Sequence, residues 1–230
     1  MKTLTSILIF LISLNGGFAQ NDCKPYIPTK KGTQWELTNY TGKGKVTGKT
    51  SYEVIDKIVE GNSATFTINS KSYDKKDKLV FEGEFTAKCI DGVFDIDMDF
   101  KMDGNQLKQY KDMALEVDAS KLDLPSLDSA TGTKLKDGNL TIKAGTDSPI
   151  SFNMTIDITE REVENREELT TPAGSFDCVV ISQKISTKMV VRIKSASKEW
   201  YAENIGLVRS ESYNKKGKLI GYTLLTMLQD

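Results

Sequence analysis

Apolar and polar residues alternate with a period of two along most of the chain beyond residue 20. Phe152, Met154, Ile156 and Ile158 alternate with Asn153, Thr155, Asp157 and Thr159. Phe94, Ile96, Met98 and Phe100 alternate with Asp95, Asp97 and Asp99, and Leu79, Phe81, Phe85 and Ala87 stand against Glu82, Glu84 and Lys88. The longest run passes from Val179 through Ile181, Ile185, Met189 and Val191 to Ile193, with Ser182, Lys184, Ser186, Lys188 and Arg192 on the other phase. Successive side chains of a strand point to opposite faces, so each run predicts a strand with one apolar face. Strands of about fifteen residues exceed the usual five or six and must twist and coil. The pattern therefore predicts a mainly β fold. One long-stranded, strongly curved antiparallel sheet, half-barrel or barrel-like, wraps around its own core.

The turns agree. Tyr40-Thr41-Gly42-Lys43-Gly44-Lys45-Val46, Tyr73-Asp74-Lys75-Lys76-Asp77-Lys78-Leu79 and Tyr213-Asn214-Lys215-Lys216-Gly217-Lys218-Leu219 repeat one hairpin pattern. Each has an aromatic residue, a basic tip with Gly or Asp to supply a tight φ, then a basic and an aliphatic residue. Further turns are expected at Glu60-Gly61-Asn62, Asp91-Gly92, Asp137-Gly138, Glu164-Asn165 and Ala173-Gly174. Helical spacing is confined to 106–114, where Leu107, Tyr110 and Ala114 share a face. That predicts one short helix in an irregular middle insert, about 103–149. No Pro-, Gly- or Ser-rich linker breaks the chain, so residues 20–230 read as a single β-rich domain.

Residues 1–19 read as a signal peptide, with Lys2, an apolar core and a Gly17-Phe18-Ala19 cleavage site. The core is too short to cross a bilayer as a mature helix. The expected product is exported, periplasmic or secreted, and soluble. It is not expected to be a lipoprotein, because Gln20-Asn21-Asp22 ahead of Cys23 lack the apolar and small side chains that a lipoprotein signal peptidase reads. The formal charge of −1 gives no basis for nucleic-acid binding. Histidine is absent altogether, which removes Ser-His-Asp and Cys-His catalysis, His-ligated metals and His-bound haem.

Export places Cys23, Cys89 and Cys178 in an oxidising compartment, and their wide spacing excludes a Cys-x-x-Cys redox motif or a Cys₄ zinc site. Counting strands up and down from Trp35 puts Cys89 beside the amino-terminal segment. The expectation is a Cys23–Cys89 disulfide with Cys178 free. The Asp95, Asp97 and Asp99 carboxylates repeat at about 7 Å along a strand, a separation compatible with glycoside chemistry at roughly 6.5–9.5 Å. They alternate with core residues, though, and read as a solvated face. Trp35, Trp200 and Tyr201 read as closing the ends of the barrel. No catalytic residue, metal ligand or cofactor site is assigned.

Two surfaces remain as candidates. The apolar strand faces supply Phe66, Phe81, Phe85, Phe94, Met98, Phe152, Met154, Ile156, Ile185 and Met189 as the lining of a partly filled interior. By the same parity count, Lys43 and Lys45 share one end of the sheet with Lys75 and Lys76. Together they form a basic rim suited to an anionic surface.

Several segments resemble an exported bacterial family of unknown function. They are Tyr26-Ile27-Pro28 with Lys31-Gly32 and Trp35; Thr171-Pro172-Ala173-Gly174-Ser175-Phe176-Asp177-Cys178; Glu199-Trp200-Tyr201-Ala202 leading to Gly206-Leu207-Val208; and the closing stretch from Tyr213 to Leu225. The family is the TapB-like group, related to a larger domain-of-unknown-function set with a curved-sheet, LolA/YmcC-like fold. The resemblance spans essentially all of residues 20–230. It implies a Gram-negative envelope protein and brings no catalytic residues. The leading expectation is a non-catalytic binder or carrier of a lipid or other apolar ligand. The alternative is a structural or interaction module that meets an envelope protein or an anionic surface. An enzyme comes third.

Overall fold

A computed structural model describes residues 25–90, 93–96, 115–119, 124–125, 128–144 and 152–230. The strands in chain order are β1 Gln34–Thr41, β2 Val46–Glu60, β3 Ser63–Asp74, β4 Leu79–Ile90, β5 Val93–Ile96, β6 Leu115–Ala119, β7 Gly138–Ala144, β8 Phe152–Thr171, β9 Gly174–Lys188, β10 Arg192–Ala202, β11 Gly206–Asn214 and β12 Leu219–Gln229. They form one curved sheet in the order β5-β4-β3-β2-β1-β12-β11-β10-β9-β8-β7-β6. Every neighbouring pair is antiparallel. The sheet is unclosed, with β5 and β6 as its edges. Among the described residues there is no helix. The short helix expected at 106–114 lies outside them, as do the Asp91-Gly92 turn, Asp97, Met98 and Asp99.

Alternation explains the first half of the sheet. Trp35 and Leu37 in β1, Tyr52 and Val54 in β2, Phe66 and Ile68 in β3, and Phe85 and Ala87 in β4 are buried in one cluster with Ile27 and Leu225. Register aligns them in rows: Val54 lies opposite Ile68, and Ile68 opposite Phe85. Trp35 stacks on its cross-strand neighbour Tyr52 at 5.1 Å, and Phe85 meets Tyr52 edge-on at 6.1 Å. Full burial of each such side chain is worth about 1.5–3 kcal/mol, and cross-strand aromatic pairs add to it.

The three repeated tips are built alike. Thr41 Oγ1, Asp74 Oδ1 and Asn214 Oδ1 each accept two backbone N–H groups from the lysines that follow, at 2.8–3.3 Å. Gly44, Asp77 and Gly217 take the positive φ that each turn requires.

Two expectations about the strands fail. The run from Val179 to Ile193 is not one strand: the chain reverses after Lys188, which lies opposite Arg192 across the β9–β10 hairpin. The tip, Met189-Val190-Val191, contains none of the usual turn residues, so a sequence of strand formers conceals it. Glu164-Asn165 is not a turn but a bulge inside β8, where the register with β9 shifts. The bulge lets a twenty-residue strand bend without leaving its partner.

Candidate functional site

Around Val179 and Val180, where β8 to β11 meet, the sheet is buried on both faces. Val163, Val179, Ile181 and Tyr201 face the core with Leu207, whereas Cys178, Val180, Trp200, Ala202 and Val208 form a cluster on the other side. The amino-terminal segment fills the core-facing side. Tyr26 packs edge-on to Tyr201 at 5.7 Å and tilts against Phe94 at 6.5 Å, and its hydroxyl donates to the Pro125 carbonyl. Asn204 N–H donates to the Pro25 carbonyl at 2.8 Å. Sequence reasoning missed this plug, because a short segment ahead of the first strand carries no periodic signal.

Beside that cluster lies a buried polar network. Arg161 is only 1% exposed. Its Nε donates to Gln183 Oε1 at 3.2 Å and its Nη1 to the Lys136 carbonyl at 2.7 Å. Gln183 Nε2 in turn donates to Ser197 Oγ and to Glu199 Oε1, both at 3.0 Å, and Tyr201 donates to Glu199 Oε2 at 2.7 Å. Arg161 reaches inward because the β8–β9 register shifts between Thr159 and Glu162, with Glu160 at a φ of 52°. A buried cation is costly unless its donors are satisfied. Here Gln183 links it to the Glu199 carboxylate.

Burial, followed by the Glu203 charge, pushes the Tyr26 phenol well above its ordinary value; burial and then Glu199 do the same for Tyr201. A raised acid favours the fold while it stays neutral. The contribution is complete below the ordinary tyrosine range, about pH 10, and is lost as pH rises above it. Absorbance titration should show these two phenols ionising only as the protein unfolds at alkaline pH.

The expected apolar lining is divided. Phe66 and Phe85 belong to the main core, with Phe94 packed against it. Phe81 is half-buried opposite Ser72. Met154 and Ile156 sit in a separate cluster with Leu140, Ile142 and Ile158. Ile185 lies opposite Ile158, and Met189 is 46% exposed at the β9–β10 tip. Met98 and the Phe152 side chain lie outside what is described.

Two cavities flank β8 to β10. One of about 630 Å³ is lined by Asp137, Asn139, Asp157, Lys184, Arg192 and Lys194 among others, and also reaches Ile185. The second, about 440 Å³, lies among Lys134, Glu162, Gln183, Lys198 and Tyr213. Their charges are largely paired, Lys184 with Glu160 at 2.5 Å, Arg192 with Asp157 at 3.6 Å, and Lys134 with Glu162. Most of these residues occupy the polar phase of their strands, where a groove and a plain solvated face read the same.

Trp200 does not close a barrel end. Its indole donates to Glu167 at 2.6 Å. The Arg209 guanidinium lies 5.7 Å from the Trp200 ring and 5.1 Å from Tyr222, which stacks on Tyr40 at 4.8 Å. This cation–π ladder crosses β10, β11, β12 and β1 on the face away from the core. Trp35 is core, and Asp95 is in the edge strand β5.

Cys178 is a free thiol with no exposed surface, and burial, followed by Asp177 and Glu167, pushes it up to about 12. It is therefore a poor nucleophile. Cys89 is buried in β4, at the end of the sheet where β1 begins, and Cys23 lies outside the described residues. Thiol titration should find no reactive group in the folded protein and one, Cys178, after denaturation. Peptide mapping should join Cys23 to Cys89; a bridge to Cys178 would contradict the strand count. Among the described residues, no three of Cys, Asp and Glu converge as a metal site.

No curated protein matches the chain. Two solved structures share its fold. A candidate exported protein with a YmcC-like fold from Bacteroides fragilis is 25% identical, with a TM-score of 0.77 over 89% of this chain and 98% of the other. A candidate lipoprotein from Parabacteroides distasonis is 26% identical, with a TM-score of 0.77 over 90% and 100%. These findings carry the YmcC-like fold and the domain-of-unknown-function set of the resemblance, but not the narrower TapB-like assignment. The model of the DUF3108-like family matches residues 30–225, and the chain belongs to that family.

Proposed function

We propose that this is an exported, non-catalytic envelope protein that binds an apolar ligand on the core-facing side of its open sheet. The carrying observation is the apolar cluster of Leu140, Ile142, Met154 and Ile158 in β7 and β8, which stands apart from the main core. It lies toward the β6 edge of a sheet that does not close, whereas Tyr26 packs against the neighbouring cluster. These four side chains are 0–7% exposed, so a ligand would enter by displacing what covers them; with Met and Ile as an adaptable lining it would be held by apolar area and loosely specified. Export rests on the signal-peptide reading of residues 1–19 and on the candidate exported and lipoprotein descriptions of the two neighbours. The residues ahead of Cys23 support a protein without a lipid anchor.

The test is titration of a fluorescent fatty acid into delipidated, folded protein. Saturable micromolar binding is expected. Met154→Ala should weaken it several-fold, whereas Ile68→Ala in the main core should lower stability and leave affinity unchanged. Absence of binding would favour the second reading, an interaction module, which the exposed β9–β10 tip supports.

A further inference from the structure

The antiparallel order brings four hairpin tips to one end of the sheet, and in space they follow one another: 74–79, 41–46, 214–219 and 188–192. They carry ten basic side chains and two acids. The two acids leave a net charge of +8. Asp74 accepts the Lys76 and Lys78 N–H groups, and Asp77 pairs with Lys49 at 3.2 Å. Among the described residues, none of the eight lysines in the three repeated tips forms an ion pair. At the other end, turns 60–63, 171–174 and 202–206 hold Glu60 and Glu203 and no Lys or Arg.

The same end presents aliphatic side chains to solvent. Val190 is 97% exposed, Val191 66% and Ile193 62%, and the lysine tips are flanked by Val46, Leu79 and Ile220 at 46–51%. At the β9–β10 tip local sequence preference and structure also disagree, since strand formers have been set into a reversal. Such conflicts concentrate where function overrides local stability.

We infer that this end docks on an anionic lipid bilayer, with Val190 and Val191 entering the headgroup–acyl boundary and the lysine tips lying on the phosphates. Charge complementarity decides the occupant. An array of unpaired lysines beside protruding aliphatic residues matches a surface whose phosphates lie just above hydrocarbon. The inference goes beyond the ligand-binding reading and stands without it, since docking requires no cavity.

The processed, exported protein is floated with vesicles of equimolar phosphatidylglycerol and phosphatidylcholine, and with phosphatidylcholine alone. Salt-sensitive binding to the anionic vesicles is expected. Val190→Asp, and separately Lys215→Glu with Lys216→Glu, should each weaken it by at least about tenfold. Val59→Asp, at the opposite end, should not. An environment-sensitive dye on Val190→Cys should shift to the blue on the anionic vesicles. No binding by the native protein, equal binding to the neutral vesicles, or undiminished binding by folded Val190→Asp overturns the inference. Fatty-acid affinity measured on the same variants separates the two readings, because Val190→Asp should leave it unchanged.

Discussion

Arg161→Ala is expected to destabilise the protein by about 3–5 kcal/mol, the cost of breaking a buried charge network by removing one member. The side chain is 1% exposed and is held by Gln183 and the Lys136 carbonyl. Its loss strands Gln183 Oε1 and leaves the Glu199 carboxylate facing the core without the cation at the far side of the relay. Urea denaturation monitored by Trp fluorescence measures the effect. The informative comparison is the fivefold replacement Arg161→Met, Gln183→Leu, Ser197→Ala, Glu199→Leu and Tyr201→Phe, which removes every side chain of the network. Replacing a whole polar network by apolar residues is often neutral, so this variant should recover much of the loss. If Arg161→Ala costs less than about 0.5 kcal/mol, the size of an ordinary surface change, water reaches the network and the site is not sealed.

Gly206→Ala is expected to cost about 2–3 kcal/mol. Two effects act together. Gly206 has a φ of 99°, which side chains with a Cβ rarely adopt, and an added Cβ would lie 2.5 Å from the Tyr26 carbonyl oxygen. Backbone cannot swing aside as a flexible side chain could, so the amino-terminal plug must lift from β11. Gly217→Ala serves as the reference: its φ is 73° but nothing lies within 4 Å of the new atom. It should cost about 1 kcal/mol, from backbone strain alone. Equal losses at the two glycines would show that the plug yields, and that Tyr26 is not fixed against the sheet.

Much of the architecture is legible in the residues themselves. The strands β2, β3 and β4 follow period-two alternation, and the three lysine tips follow from Thr41, Asp74 or Asn214 placed ahead of a positive-φ residue. These are local properties: a strand needs only an alternating pattern, and a tip needs only an acceptor and a residue tolerant of its φ. Antiparallel parity then predicts that the Lys43 and Lys75 tips share an end, as they do.

Other features depend on partners distant in sequence. Val190 and Val191 suit a strand, and only the pairing of Lys188 with Arg192 turns them into an exposed tip. Arg161 reads as one more charged residue on a long strand until a register shift points it at Gln183, twenty-two positions away. Cys178 and Val180 lie on the opposite phase from Val179 and Ile181, yet all four are buried, because the β10 and β11 side chains of Trp200 and Val208 cover the second face. The alternation of a single chain determined that this protein would be a long-stranded curved sheet with lysine-tipped hairpins. Which faces are covered, which charge is neutralised inside and which aliphatic side chains are left outside were decided only by tertiary structure, since each depends on register between strands that the local pattern does not encode.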